Sequence, residues 1–312
     1  MLNSRYFNNV TIVNDDTLKK SSMDIQKIIA EYKWYDQNKI FNCPKVSNLI
    51  VTNNEASYLI EYIHGHTLAD LYINESLPLE VFNDIIVYIL NKIEDSKLLN
   101  SIGYLNYKPQ ILSMYKKKTL ERLSNTDIDL FAYYTINGEK CPKLIDIINE
   151  CNIDVYDSDV CPIHGDLCFS NIILKDSYDY RNKESNIGDY LYFIDPRGIL
   201  YDKTISSAGD YKYDIGKLAH SIIGLYDQIK NNQIKAIKVS DTEYILDIHE
   251  SEYKQCVKNK CFSLYCKDPI IYSIMIHLFL SMIPLHADQP EQQITMFANA
   301  LRLYQERKNL LK

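Results

Sequence analysis

The spacing of apolar residues changes period along the chain. Residues 10–13 ("VTIV") and 17–22 ("TLKKSS") alternate around the polar turn "NDD", which predicts a β-hairpin with Leu18 and Lys20 on one face. From Met23 the repeat becomes helical: Ile25, Ile28, Ile29 and Tyr32 share a face, with Asp24 near the start. "SNLIVTN" and "ASYLIEYI" then read as a second hairpin around Asn53-Asn54-Glu55. Residues 1–63 therefore predict a small sheet with one helix.

From His64 onward the pattern is mostly helical, in "LPLEVFNDIIVYILNKIED", "ILSMYKKKTLERLSN" and "CPKLIDIINECN". Two short apolar runs, "NIILK" and "YLYFID", flank a polar turn region, and helical spacing returns in "YDIGKLAHSIIGLYDQIK", from Pro269 to Leu285, and in "EQQITMFANALRLYQERKN". The chain reads as α+β, a small β-rich part (1–63) followed by a larger, mostly α-helical part (64–312), with no internal repeat or low-complexity linker.

Composition narrows the class. The 312 residues are 46% hydrophobic, enough for a sizeable core, and the net charge of -7 argues against a partner held through phosphate contacts, such as nucleic acid. The basic run Lys116-Lys117-Lys118 reads as a solvated helix face. Pro269 to Leu285 is interrupted by Tyr272, Ser273, His277 and Ser281 and falls short of the ~20 apolar residues that span a bilayer, so it is expected as a buried helix. The N-terminal stretch "MLNSRYFNNV" has no signal-peptide pattern, so the expected location is the cytoplasm. Eight cysteines form no C-x-x-C pair and are expected as reduced thiols; the five-residue spacing of Cys256, Cys261 and Cys266 scatters them around a helix.

The candidate chemistry lies in "HGDLCFSN" (164–171), followed 24 residues after Asn171 by Asp195 in "FIDPRG". Phosphoryl transfer from a nucleotide needs a group to position the acceptor hydroxyl and oxygen ligands that hold Mg²⁺ against the phosphates. Asp166 fits the first role, and Asn171 and Asp195 fit the second. Any one of them alone could cap a turn.

The set resembles the aminoglycoside phosphotransferase and choline kinase superfamily, small-molecule kinases with a bilobal protein-kinase-like fold, over nearly the whole chain. The resemblance rests on His164, Gly165, Asp166, Asn171 and Asp195, and on "GDYKYDIGKLAHS" (209–221). It implies ATP and Mg²⁺ as cofactors, an N-terminal nucleotide-binding lobe (1–63) and a catalytic and substrate-binding lobe (64–312). Asp166 would be catalytic, Asn171 and Asp195 metal ligands, and His164 and Asp214 structural support for the loop. Lys20, in preference to Lys19, would contact phosphates and Glu31 would orient it, while backbone groups from Glu61 to Ile63 would meet the adenine edge. Arg197, which could reach an anionic group on the substrate or pair with a surface acid, and Asp210 are the substrate candidates.

The chain departs from the family in one respect. Gly65 is its first glycine, so the Gly-rich phosphate loop is absent, and Ser4 or Asn8 are left as substitutes. Weak nucleotide binding is expected as a result. The motifs look most like the branch found with capsule and surface-polysaccharide biosynthesis, implying a sugar or sugar-derived alcohol as acceptor. Choline or ethanolamine is the second reading, and a degenerate nucleotide binder the third. A protein kinase would carry H-R-D, D-F-G and A-P-E, none of which is present.

Overall fold

The computed structural model describes residues 9–99, 102–182 and 184–312. Ser4 and Asn8 lie outside the described residues. Strands β1 (Asn9–Asn14), β2 (Thr17–Ser22), β3 (Val46–Val51) and β4 (Ala56–Glu61) form an antiparallel sheet in the order β1-β2-β4-β3, with α1 (Ile25–Gln37) packed against it. Strand alternation turns Leu18 and Lys20 inward together. Asp24 caps α1 by accepting from Lys27 N at 3.1 Å. The face α1 buries is Ile28, Ala30, Glu31, Trp34 and Tyr35, whereas Ile25, Ile29 and Tyr32 of the expected stripe are only half-buried. The helix is rotated toward Glu31 because that carboxylate has a buried partner in Lys20.

The chain leaves this sheet after Glu61. β5 (Gly65–Thr67) pairs instead with β9 (Ile172–Lys175), which also pairs with β10 (Leu191–Phe193). Between them in sequence lie α2 (Leu68–Ile73), α3 (Leu79–Lys97), α4 (Ile102–Leu105), α5 (Lys108–Ser113), α6 (Lys116–Leu123), β6 (Tyr133–Ile136), β7 (Glu139–Lys143), α7 (Leu144–Glu150) and β8 (Val160–Pro162). Then follow β11 (Ala208–Asp210), α8 (Tyr211–Ile222), α9 (Tyr226–Lys230), β12 (Ala236–Lys238), β13 (Glu243–Leu246), α10 (Glu252–Leu264), α11 (Pro269–Met282) and α12 (Pro290–Leu310). The architecture is mixed α+β, β-rich at the N-terminal end and mainly helical beyond it.

The reading of residues after His64 as mostly helical needs one correction. β12-β13-β6-β7 make a second four-stranded sheet, and Cys141, Pro142 and Lys143, expected in a helix, lie in β7. Its hairpin turns at Asn137-Gly138, both at positive φ (50° and 79°), the conformation Asn-Gly adopts most cheaply. Residues 112–123 are likewise two helices, α5 and α6, broken at Met114 and Tyr115.

Pro269–His286 has the length and hydropathy to cross a membrane, but two thirds of it is buried inside the protein, where it packs against α6, α8 and α12. All eight cysteines are free thiols. Cys261 and Cys266 are not scattered: α10 ends between them, and their sulfurs lie 3.6 Å apart in the core.

Candidate active site

Two strand pairs set the site. In the β9–β10 hairpin Ile172 stands opposite Phe193, so Asn171 just before β9 and Asp195 just after β10 emerge at the same end. β8 pairs with β11, and β11 runs directly into α8, which places the start of α8 beneath residues 163–171. Two backbone bonds lace the loops together, Ile194 N to Asn171 O at 2.9 Å and Arg197 N to His164 O at 2.9 Å.

α8 supports this loop from one face. Asp214 accepts from His164 N at 2.7 Å and Gly165 N at 2.8 Å. One turn on, Lys217 Nζ lies 2.8 Å from Asp166 Oδ1, and after another turn Ser221 Oγ accepts from Phe169 N at 3.1 Å. Asp214 is thus bonded to loop backbone; burial pushes its carboxyl up to about 7 against the pull of those two N–H groups. His164 is fully buried, edge-on to Trp34 and Phe41, and burial lowers its imidazole to about 4, so it stays neutral. Gly165 sits at φ +78°, and a Cβ there would come within 2.8 Å of Arg197 Cβ.

Asp166 is partly open, its side chain about a third exposed at 32%. Burial works against its charge, but Lys217 and Arg197 outweigh it and hold the carboxyl well below the usual carboxylate range. Asn171 Nδ2 donates to Asp166 Oδ2 at 2.9 Å and to Asp166 O at 2.8 Å. With the amide nitrogen doubly engaged, its oxygen is the atom left for a cation.

Asp195 has φ +57°, its carboxylate exposed and its N–H donating to Tyr35 Oη at 2.9 Å. Lys20 Nζ bridges Glu31 Oε1 at 2.5 Å and Asp195 Oδ1 at 2.7 Å, and Tyr58 Oη donates to the same Glu31 oxygen. Burial disfavours the Lys20 charge, but the two carboxylates more than offset it and hold the ammonium above its ordinary range. Lys20, Glu31 and Asp195 therefore form one ladder, and Asp195 feels the charge of Asp166 beside it. α1 is fixed to the loops by Trp34 Nε1 donating to Ile163 O at 2.8 Å and by Gly198, where a Cβ would meet Ala30 O at 2.5 Å.

The other expected positions fall as follows. Glu61 N–H donates to Lys45 O and Tyr62 N–H to Asp16 O, so these two donors are committed, whereas among the described residues no loop or turn backbone bond involves Ile63. Lys19 is on the opposite face of β2 from Lys20. Arg197 pairs with no surface acid among the described residues; its guanidinium lies 4.6 Å from the centre of the Tyr213 ring and donates to Tyr213 Oη at 2.6 Å. Asp210 is completely buried as the N-cap of α8, accepting from Lys212 N at 2.9 Å and Tyr115 Oη at 2.8 Å, so both its oxygens are engaged by the protein itself. A small open recess lies beside His164 and Arg197, walled by Ile111, Met114, Tyr115 and Tyr213.

Sequence reasoning missed Lys217 and Lys118. Lys217 lies inside the quoted "GDYKYDIGKLAHS", and the polar positions Asp214, Lys217 and Ser221 on an otherwise apolar helix were the available signal. Lys118, read as solvated, is half-buried on α6 and feels the charge of Arg197.

Among the described residues no three His, Cys, Asp or Glu side chains gather as a metal cluster. Asn171 and Asp195 nonetheless fit Mg²⁺, which is commonly held through one or two protein oxygens plus substrate phosphates. Asp195 offers an exposed carboxylate and Asn171 an uncommitted amide oxygen at the same hairpin end.

No family model matches the chain, and no curated protein matches it. Among solved structures, it resembles a provisionally named fructosamine-3-kinase from Haemophilus somnus 129PT at 11% identity and TM-score 0.47, over 96% of this chain and 87% of the other. It also resembles an aminoglycoside-3'-phosphotransferase of type VIII at 11% identity and TM-score 0.41, over 96% of this chain and 94% of the other.

Proposed function

We propose that this protein is an ATP- and Mg²⁺-dependent phosphotransferase acting on a hydroxyl of a small molecule, with a nucleotide-binding lobe (1–63) and a catalytic lobe (64–312). The observation that carries the reading is the arrangement of Asp166, Asn171 and Asp195 on two laced loops, facing the Lys20–Glu31 pair. Asn171 Oδ1 and Asp195 would hold Mg²⁺, whose charge would offset that of the phosphates. Lys20 would leave Asp195 for a phosphate, steadied by Glu31. The Ile63 backbone N–H, with the Glu61 carbonyl, would meet the adenine edge in place of the Glu61 and Tyr62 donors.

Asp166 would orient the acceptor hydroxyl and take its proton as the new O–P bond forms and the bond to the departing ADP breaks. A carboxylate held this far below its usual range is a weak base. That suits a loose transition state, in which positioning the hydroxyl outweighs early deprotonation. A sugar or sugar-derived alcohol of surface-polysaccharide metabolism is the leading acceptor. Choline or ethanolamine fits less well, since Lys217 and Arg197 already set positive charge beside Asp166. The test is nucleotide consumption by the full chain over a panel of sugars and amino alcohols, with Mg·ATP binding measured by calorimetry. Absence of magnesium-dependent nucleotide binding would reject the reading.

A further inference from the structure

On the far side of Asp166 from Lys20 the protein gathers more positive charge than it neutralises. Lys217 is matched by Asp166 at 2.8 Å. Arg197 stacks on Tyr213 and donates to a neutral hydroxyl. Arg122 Nη1 donates to the neutral Ser281 carbonyl at 2.9 Å. Lys118, one turn before Arg122 on α6, makes no hydrogen bond or ion pair among the described residues, although it is half-buried.

The placement of α6 follows from its contacts. Tyr115 at its N-cap lies against Tyr213 with ring centres 5.8 Å apart, and Thr119 bonds His277 on α11. Lys118 follows Tyr115 by three residues on α6, within reach of the charge of Arg197, and Tyr115, Tyr213 and Arg197 wall the recess beside them. Burial, then the charges of Arg197, Arg122 and Lys217, hold the Lys118 ammonium well below the ordinary lysine range, with Asp166 opposing. Lys118 has no acid bonded to it, and Arg122 and Arg197 feel Glu121 and Asp214 without bonding them, a costly arrangement that an arriving anion relieves.

We propose that the acceptor carries a phosphate or carboxylate group that seats among Lys118, Arg122 and Arg197 while its hydroxyl faces Asp166. The inference rests on the phosphotransferase reading. The charge ladder through Lys20, Glu31 and Asp195 is a separate group, so the two clusters divide the nucleotide from the acceptor's anion.

Inorganic phosphate serves as the probe, titrated calorimetrically into the full chain at constant ionic strength, for wild type, Lys118→Gln, Arg122→Gln and Lys20→Met. Saturable binding of one phosphate, weakened at least tenfold by Lys118→Gln and by Arg122→Gln but not by Lys20→Met, is the expected result. No saturable binding overturns the proposal, and so does a loss confined to Lys20→Met, which would assign the anion to the nucleotide side. Lys118→Gln forfeits no partner and removes repulsion, so its Tm should equal or exceed wild type; a marked fall would make the lysine structural and also overturn the proposal. Mg·ATP titrations on the same proteins separate the two readings. Wild type that binds Mg·ATP without a phosphate site keeps the kinase and loses the anionic acceptor, whereas loss of Mg·ATP binding itself removes the kinase. With turnover in hand, phosphorylated or carboxylated sugars should exceed their neutral counterparts at least tenfold in kcat/KM, and Lys118→Gln should narrow that ratio.

Discussion

The two sides of the site handle charge in opposite ways. Toward the N-terminal sheet, Lys20 lies between Glu31 and Asp195, Tyr58 donates to Glu31, and each ion has a counter-ion within hydrogen-bonding distance. Toward the helices, Lys217 already occupies Asp166, Arg122 and Arg197 bond neutral oxygens, and Lys118 has no ion-pair partner among the described residues. A balanced group can open only by exchanging one partner for another, as Lys20 would in leaving Asp195 for a phosphate. An unbalanced group gains from any anion that arrives. On the proposed reading, the nucleotide side would specify geometry and the acceptor side charge.

The largest effect expected is at Asp166, where the two sides meet. Asp166→Asn keeps shape and one acceptor but loses basicity and charge, so kcat should fall by roughly 10²–10⁴ with Mg·ATP affinity little changed. Asp195→Asn should instead weaken magnesium-dependent nucleotide binding together with turnover, because it removes the charge of the proposed metal ligand and half of the Lys20 bridge. Steady-state kinetics with Mg·ATP calorimetry on both variants checks the pair. Equal, modest losses for Asp166→Asn and a surface control such as Asp176→Asn would reduce the loop to a turn.

A smaller effect should follow from Lys217→Met. Lys217 is buried, and losing it leaves Asp166 with Arg197 as its main positive neighbour. The Asp166 carboxyl should then rise from far below its ordinary range, so the acid side of the pH–rate profile moves to higher pH. The direction is fixed: the base is active only when ionised, and the variant stays protonated to a higher pH than wild type. An unmoved acid limb would mean that Lys217 serves the fold alone.

The balanced side was also the more legible in the sequence. The resemblance called for a lysine on a strand and a glutamate on the next helix, and alternation in "TLKKSS", which put Lys20 inward beside Leu18, with Glu31 eleven residues on, picked out the pair. Asp166, Asn171 and Asp195 were legible as a spacing, because a hairpin necessarily returns its two ends to one place. The unbalanced side was hidden for a physical reason. "KKK" at 116–118 has the composition of a solvated face, and which of the three turns inward depends on how Thr119 and Arg122 seat α6 on α11, a long-range fact. Asp210 misled in the opposite way: its position just before a helix already marked it as a cap. The second sheet was overlooked although Asn137-Gly138 announced its hairpin, since the neighbouring runs are short and sit among helical ones.

The smallest effect on turnover is expected at His277, which supports the acceptor side from behind. Its Nε2–H donates to Cys151 O at 2.9 Å, leaving Nδ1 to accept from Thr119 Oγ1 at 3.0 Å, and so it fixes α6 to α11. The ring is 3% exposed, and burial lowers its imidazole from 6.5 to about 4. An unfolded chain would take up the proton near 6.5, the fold only near 4, so between those values the unfolded state binds more protons. The contribution of neutral His277 is thus whole above the unfolded value and is lost as the pH falls toward the folded one, by roughly 3 kcal/mol at most. His277→Gln retains polar atoms but cannot titrate. The stability gap between wild type and variant should therefore be widest near pH 7 and narrow steadily toward about pH 4.5, measured by urea unfolding across that range. At neutral pH the same variant should weaken phosphate binding through α6 while leaving Mg·ATP affinity unchanged, because the Lys20 ladder is held by Glu31, Asp195 and Tyr58 and not by α6. A gap constant with pH would show that His277 is not held neutral, and equal losses on both sides would show that the two charge groups are not independent.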